Sequence, residues 1–544
     1  MKSSHATTML AGAIATTASA FECTQSAFEA VIPSNTSVSL VQDVAQNGTF
    51  EVPASDIAYP TSPTGLRALC AVQIKVPAPG NTTYEFGLFL PDEWNGRFLA
   101  VGNGGFAGGI NWEDMGAGVG YGFAVVSTDT GHNSTALDAK WAYNELEELE
   151  NWGYRALHGS VVLGKQIVEN FYGEAPAFNY YTGCSAGGKQ GFKEVEEFPD
   201  DFDGVVAGAP AWWTSHLQLW NGKVGLYNLP VDAPYRLNSS HVSALAAEVL
   251  KQCDPQDGVT DSIIQDPTRC RFVPETLLCT SNATNTSTCL NAAQIQTVYQ
   301  LYNDWVIGNQ SFVFPHFQLG SEAQWDLLVL GDAPSTLMTD YVQYMLQLGP
   351  DWDWRTDWDD EAIVALSDAI NPGNATADNY DLGPFHARGG KLLHYHGYAD
   401  GSIATGSSVY LYNKVTQTLR PRGVDVDEFY RFFLVPGMQH CSGTPDNMNA
   451  PWYFAGPNQA SVLGSDVHSV PGFSDPEHDV LLAMMAWVEN GTAPTQIIGT
   501  KFDNDTVHDT VLRQRPLCVY PKQAKYDGSG DVDSADSWTC ESLY

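Results

Sequence analysis

The sequence predicts an α/β protein: a mostly parallel sheet covered by helices on both faces, interrupted by one large insertion. Three observations carry this prediction. Short apolar runs alternate with amphipathic stretches in the first and last parts of the chain. That rhythm is lost between about residues 212 and 384. A Gly-x-Ser-x-Gly turn joins a strand-like segment to a helix-like one near residue 185.

The elements follow in order. Tyr84–Leu90 alternates as a strand, and Arg97–Gly102 is a short apolar run ending in Asn103-Gly104-Gly105. Phe123–Ser127 is a third strand. A helix is expected from about Gly153 to Phe171, with Ala156, Val161, Val162, Ile167 and Val168 on one face. Phe178–Thr182 is again a strand, followed by a sharp glycine turn and a helix over about 187–198. Beyond Gly208-Ala209-Pro210 the composition turns to Trp, Asn, Asp and Pro, and this stretch holds four of the ten cysteines. It reads as an inserted lid domain over 212–384, which leaves 21–211 and 385–544 as the main domain. The rhythm returns with strands at Gly390–Gly397 and Phe429–Val435, and a last amphipathic helix covers Val480–Glu489 before Asn490-Gly491.

Composition narrows the function classes. Hydrophobic residues make up 43% of 544 and aromatics 12%, enough for a packed core rather than disorder. With 63 acidic and 26 basic residues the net charge is −37, which repels phosphate backbones and anionic membranes and argues against nucleic acid as a partner. No stretch is long and apolar enough to span a bilayer. Residues 1–20 read as a signal peptide: Lys2, a weakly apolar run from Met9 to Ala15, and the small-residue site Ala18-Ser19-Ala20, with Phe21 as the expected mature start. All ten cysteines lie beyond that point, as disulfides in an oxidising compartment would. Asn35, Asn47, Asn81, Asn133, Asn238, Asn282, Asn309, Asn374, Asn490 and Asn504 are glycan acceptors by pattern. A secreted, extracellular protein is expected, monomer or homodimer.

The turn Gly183-Cys184-Ser185-Ala186-Gly187 has the context of a nucleophile elbow. A nucleophile on a tight turn at a strand end stands clear of the sheet, and only residues with little Cβ bulk fit around it. The Ala186 N–H then faces the developing oxyanion. A serine hydroxyl needs a base, and the base needs a carboxylate. The α/β-hydrolase fold places them in the order Ser, acid, His. Asp400 follows a strand, within Tyr398-Ala399-Asp400-Gly401; the plain alternative is an ordinary Asp-Gly turn. His440 lies in a glycine-loosened loop after the next strand, whereas His394 and His396 sit inside a strand as core or support residues. His478 precedes a helix N-terminus, where the dipole disfavours an imidazolium. A structural role for His440 is the alternative. Cys184 precedes the serine and Cys441 follows the histidine, so a bridge between them would clamp the two loops, unless each pairs with a sequence neighbour.

Gly183-Cys184-Ser185-Ala186-Gly187-Gly188, Asp400, His440-Cys441, Gly102–Gly105 and Ser127–His132 together resemble the tannase and feruloyl esterase family over nearly the whole chain after residue 20. The resemblance implies an α/β-hydrolase fold with a large inserted lid domain, and a carboxylic-ester hydrolase acting on phenolic-acid esters. It implies the triad Ser185, Asp400 and His440. It implies a second oxyanion N–H from Asn103-Gly104-Gly105, with Gly105 favoured over Gly104. It implies the pairs Cys184–Cys441, Cys23–Cys70, Cys253–Cys270, Cys279–Cys289 and Cys518–Cys540, of which the last three are also near neighbours in sequence.

Asp254, Asp257 and Asp261 crowd one short loop with Gly258. Unscreened carboxylates repel, so the loop suits a hard cation, although a solvated acidic turn is the alternative. The resemblance implies structural calcium, held by those three side chains and the Val259 and Ile263 carbonyls, and no organic cofactor. The leading expectation is hydrolysis of hydroxycinnamoyl esters of plant cell-wall sugars, with galloyl esters of tannins as the rival. A non-catalytic carbohydrate-binding protein on a hydrolase scaffold is the remote alternative. Trp212, Trp213, Trp220, Trp352, Trp354 and Trp358 are candidates to stack on a phenolic ring or to fill the lid core.

Overall fold

The computed structural model describes residues 21–280, 286–308, 310–464 and 469–542. The expected signal peptide and the acceptors Asn282 and Asn309 lie outside the described residues.

A nine-stranded mixed sheet organises the chain. Its strands are β1 (Ser37–Val44), β2 (Leu69–Pro77), β3 (Thr83–Pro91), β4 (Arg97–Val101), β5 (Ala124–Thr128), β6 (Phe178–Cys184), β7 (Gly204–Gly208), β8 (Lys391–Gly397) and β9 (Tyr430–Val435). Their spatial order is β1-β2-β3-β5-β4-β6-β7-β8-β9. From β5 to β9 every neighbouring pair is parallel, while β1, β2 and β3 join antiparallel at one end.

Side-chain alternation along each strand separates two cores. Phe98 and Ala100 of β4 face one, and Leu99 and Val101 face the other. Val205 and Ala207 of β7 likewise oppose Val206. Because both faces are buried, the central strands read as continuous apolar runs. The principal helices are α1 (Trp112–Gly120), α2 (Ala156–Tyr172), α3 (Ala186–Glu197), α4 (Thr214–Leu226), α5 (Ser239–Cys253), α6 (Asp360–Ile370), α7 (Gly406–Leu419) and α8 (Val480–Asn490). Helices α2, α3 and α7 cover the first face, through Val161, Phe192 and Val415 among others. Helices α1 and α8 cover the second, through Met115 and Met484. The start of α2 differs from a plain helix: Asn151–Arg155 forms a π turn that leads into it.

Residues between β7 and β8 are mainly helical and build a third core around Leu217, Trp220, Leu245, Phe317, Trp325 and Tyr341. Phe106 and Trp152 from the sheet-bearing part also enter this core. At the two ends of the insertion, Trp212 on one side and Ala377 and Leu382 on the other pack with the sheet, and the Trp212 indole donates to the Ser407 carbonyl at 3.1 Å. The C-terminal region adds two antiparallel pairs, Gln496–Phe502 with Val511–Cys518 and Gln523–Tyr526 with Trp538–Glu541.

The parallel stretch β6-β7-β8-β9 brings three strand C-termini to one edge of the sheet. Ser185, Asp400 and His440 lie just beyond β6, β8 and β9 respectively. This edge is where open α/β sheets assemble their sites.

Candidate active site

Ser185 sits between β6 and α3 at φ 64° and ψ −122°, a strained conformation for an L residue. Its N–H donates to the Gly208 carbonyl at 3.0 Å, which ties the turn to β7. The flanking glycines are required by close approach. A Cβ on Gly188 would lie 2.3 Å from the Gly208 carbonyl oxygen, and one on Gly183 would lie 2.7 Å from the Gly187 carbonyl carbon.

Asp400 is fully buried, yet four groups converge on its carboxylate. Oδ1 accepts the N–H groups of Ser402 and Ile403, each at 2.8 Å. Oδ2 lies 2.7 Å from His440 Nδ1 and 3.0 Å from His396 Nε2. Burial is the largest single influence and pushes its pKa upward. The His440 charge and the bonds from both histidines together outweigh it and hold the carboxyl well below the usual range. His396 is itself anchored: its Nδ1 lies 2.7 Å from Ser408 Oγ, which lies 2.8 Å from His394 Nε2. Burial, with His396 adjacent, holds the His394 pKa well below its ordinary value. These two strand histidines thus form the buried support beneath Asp400.

His440 is partly exposed and lines a cavity of about 440 Å³ that Ser185 also lines. The sequence offered no signal for Gln324, on a short 3₁₀ turn in the insertion. Its Oε1 accepts the N–H groups of both Gly401 and His440, each at 3.0 Å, so it braces the acid loop against the base loop. A second brace is covalent. Cys184 and Cys441 are bonded, with Cα atoms 6.0 Å apart. The other pairs are Cys23–Cys70, Cys253–Cys270, Cys279–Cys289 and Cys518–Cys540.

The oxyanion candidates all line the cavity. Ala186 opens α3, where backbone N–H groups are unpaired and the helix dipole favours negative charge. The N–H of Gly104, the less favoured of the two glycines, is already committed to the Tyr59 hydroxyl at 2.7 Å. Among the described residues, the N–H groups of Gly105 and Ala186 donate to no protein acceptor. Gly105 has φ 54°, and a Cβ there would meet the Ala136 carbonyl oxygen at 2.3 Å.

The cavity is mixed in character. Trp152 is one of its lining residues, in contrast to the six tryptophans of the insertion singled out from sequence, none of which is among them. Trp212 and Trp220 are instead core side chains, because their indoles are wholly enclosed by neighbouring rings. Lys189, one turn into α3, is 1% exposed; burial, with Lys193 adding, lowers its pKa to about 7. Asp114 also lines the cavity, and burial pushes its carboxyl up to about 8, with Glu113 adding.

The acidic loop follows α5. Asp254 accepts the Asp261 N–H, Asp257 accepts the Val259 N–H at 2.9 Å, and Asp261 accepts the Ile263 N–H at 3.2 Å while pairing with Arg515. Burial first, and the charge of Asp261 next among the repulsions, raise Asp254 and push Asp257 up to about 6. Three carboxylates against one guanidinium leave surplus negative charge, the donor chemistry of a hard divalent cation, although their oxygens do not gather into one cluster of ligand atoms here. The tightest groupings of three ligating side chains among the described residues lie elsewhere, at His158–Glu194–Asp201 and Asp475–Glu477–His478. His478, set aside as a base, is held by Asp475 at 2.8 Å.

An elbow serine lines the same cavity as a histidine held by a buried carboxylate, which are the parts a serine hydrolase needs. The family model described as "Tannase and feruloyl esterase" matches residues 70–313 and 341–541. A probable feruloyl esterase B-1 of Aspergillus oryzae is 36% identical over 481 residues, covering 88% of this chain and 84% of that protein. The crystal structure of feruloyl esterase B from A. oryzae superposes with a TM-score of 0.86 at 34% identity, covering 95% of this chain and 99% of that one. A tannin acyl hydrolase from A. niger shares the fold, with a TM-score of 0.75 at 23% identity and 95% of each chain covered. The chain belongs to the tannase and feruloyl esterase family and has the α/β-hydrolase fold. It is a carboxylic-ester hydrolase similar to feruloyl esterase B.

Two measurements test this geometry. Replacing Cys184 and Cys441 together by Ala frees the two loops, and misplacement of about 1 Å costs on the order of 100-fold. The double variant is expected to lose at least about tenfold in kcat with KM little changed; parental kcat would refute the clamp. The pH dependence of stability follows from Asp114. Its folded pKa, about 8, exceeds the unfolded value of about 3.9, so the native state keeps a proton that the unfolded chain releases. That stabilisation is complete below pH about 4 and is lost as pH rises toward about 8. The melting temperature is therefore expected to fall from pH 5 to pH 8, and Asp114→Asn is expected to flatten the fall. An unchanged slope in the variant would refute this.

Proposed function

We propose that this protein is a secreted esterase that releases hydroxycinnamic acids from their esters with plant cell-wall sugars, through an acyl-enzyme on Ser185. The observation that carries the proposal is the Asp400–His440 contact, 2.7 Å, facing the same cavity as the elbow serine. It lies in a chain that aligns along most of its length with feruloyl esterases.

His440 Nε2 takes the proton of the Ser185 hydroxyl as the oxygen attacks the ester carbonyl. Asp400 holds the ring by Nδ1 and stabilises the imidazolium. The N–H groups of Ala186 and Gly105 receive the oxyanion; Gly104 is left out because its N–H serves Tyr59. One such donor is worth about 2.7–4 kcal/mol in the transition state. His440 then protonates the leaving alcohol, and water cleaves the acyl-enzyme by the same steps in reverse. Residues 212–384 act as the lid that roofs the cavity and supplies Gln324. The five disulfides, the signal sequence and the many acceptor asparagines support an extracellular setting.

Ser185→Ala is expected to lower turnover of methyl ferulate by at least about 10⁴-fold with the melting curve unchanged. A loss under tenfold would remove Ser185 from the mechanism. In the wild-type protein, methyl ferulate, caffeate and p-coumarate are expected to be cleaved in preference to methyl gallate. The reverse order would make galloyl esters the substrate of the same machinery.

The loop of Asp254, Asp257 and Asp261, with the Val259 and Ile263 carbonyls, holds a calcium ion in this reading. The ion neutralises surplus charge next to the Cys253–Cys270 bridge, and its role is structural. Chelation is expected to lower the melting temperature, with recovery on added calcium but not on added magnesium. A melting temperature indifferent to chelator would refute the site.

A further inference from the structure

The two oxyanion donors of the proposed mechanism come from segments far apart in the chain. Ala186 opens α3, and Gly105 lies in the turn that follows β4. One oxygen can accept from both N–H groups only if the turn and the helix are held at a fixed spacing. The sheet supplies that spacing as far as the Gly102 N–H, which donates to the Thr182 carbonyl at 3.0 Å. Beyond it, among the described residues, both hydrogen bonds that join α3 to the turn are made by one side chain, Gln190.

Gln190 lies one turn beyond Ala186 on α3, and it is buried, as is the Asn103 that it meets. Gln190 Oε1 accepts the Asn103 N–H at 2.9 Å, and its Nε2 donates to Asn103 Oδ1 at 3.1 Å. Asn103 Nδ2 is anchored in turn on the Gly109 and Thr128 carbonyls, each at 2.9 Å. No side chain separates the two backbones here. A Cβ on Gly187 would lie 3.1 Å from the Asn103 carbonyl oxygen, and one on Gly102 would lie 2.7 Å from Gly187 Cα. The same pairing belongs to a turn that leaves one donor open. The N–H groups of Asn103, Gly104, Phe106 and Ala107 are taken by Gln190, the Tyr59 hydroxyl, the Ala136 carbonyl and the Gly104 carbonyl. Between them, the Gly105 N–H has no acceptor among the described residues.

We infer that Gln190 is a positioning residue for ester hydrolysis: its amide, paired with Asn103, sets the distance between the Ala186 and Gly105 N–H groups. This rests on the proposed mechanism, in which those two groups receive the oxyanion. Gln190 is not among the residues that line the cavity, so it acts through the two backbones it joins. Such donors hold the tetrahedral oxyanion more tightly than the ground-state carbonyl, so loss of the tie falls on kcat rather than on KM. A side chain that only filled the core would give no such split.

The test compares Gln190→Met, which keeps the length of the side chain and loses both bonds, with Gln190→Glu. A glutamic acid buried here stays protonated, and it offers a carbonyl oxygen and an O–H where the amide has a carbonyl oxygen and an N–H. With methyl ferulate, Gln190→Met is expected to lose at least about tenfold in kcat with KM within about threefold of the parent, since a misplacement of about 1 Å costs on the order of 100-fold. Gln190→Glu is expected to recover most of that loss. Styrylboronic acid reads the donors directly: the Ser185 oxygen bonds to boron, the serine proton passes to His440, and one B–OH takes the place of the oxyanion. Its affinity is expected to fall in Gln190→Met by the same factor as kcat/KM. Gln190→Asn, a methylene too short to reach Asn103, takes the place of Gln190→Met if that variant does not fold. Parental kcat without the tie, a loss confined to KM, no recovery in Gln190→Glu, boronate affinity unchanged while kcat falls, or failure of both Gln190→Met and Gln190→Asn to fold would each overturn the assignment. A wild-type protein that neither cleaves methyl ferulate nor binds styrylboronic acid would instead overturn the mechanism on which it rests.

Discussion

An ionised carboxylate with no solvent exposure, Asp400, can exist only where the fold surrounds it with donors. Burying a lone charge costs several kcal/mol even after relaxation, and removing one partner from such a site is strongly destabilising. Two backbone N–H groups of its own loop and two imidazoles meet that cost here. The loop shape after β8, the side chain of His396 within β8 and the loop after β9 must all be correct together. The His440 ring is oriented as a consequence, through its Nδ1 contact with Asp400.

The insertion does more than contribute residues to the cavity lining. Gln324 accepts one N–H from the loop carrying Asp400 and one from the loop carrying His440, so a residue far from either loop in sequence joins them. The Cys184–Cys441 bond joins the base loop to the nucleophile turn in the same way. Both braces act on loops, which are otherwise the most mobile parts of an α/β fold. The sheet below is rigid because alternation gives it two packed faces. Precision in the site comes from rigid strands placing the loops and from two long-range ties holding them.

Much of this was legible in sequence where the signal was local. The central strands are continuous apolar runs because they are buried on both faces, and α3 and α8 announce themselves by periodicity and by a stop at Asn490-Gly491. The elbow is a five-residue pattern whose glycines answer to backbone contacts within one turn and its neighbouring strand. Strands β1 and β2 and the C-terminal antiparallel pairs were not legible, since strands on the margin of a fold mix exposed and buried positions without clean alternation. The insertion lost its rhythm in sequence because its helices pack around a core of their own, shared with Phe106 and Trp152.

Residue chemistry and chain order alone determined the α/β class, the choice of Ser185, Asp400 and His440 as candidates, the acidic loop and the resemblance to one family. Each of these is written in neighbouring residues or in an order that a parallel sheet imposes. Tertiary structure decided the rest. It assigned Gly104 to Tyr59, made Trp152 the cavity's tryptophan in place of the insertion's six, and brought Gln324 and His396 to Asp400 and its loop. These depend on which side chains meet after separate segments pack, and no pattern of neighbours along the chain encodes such a meeting.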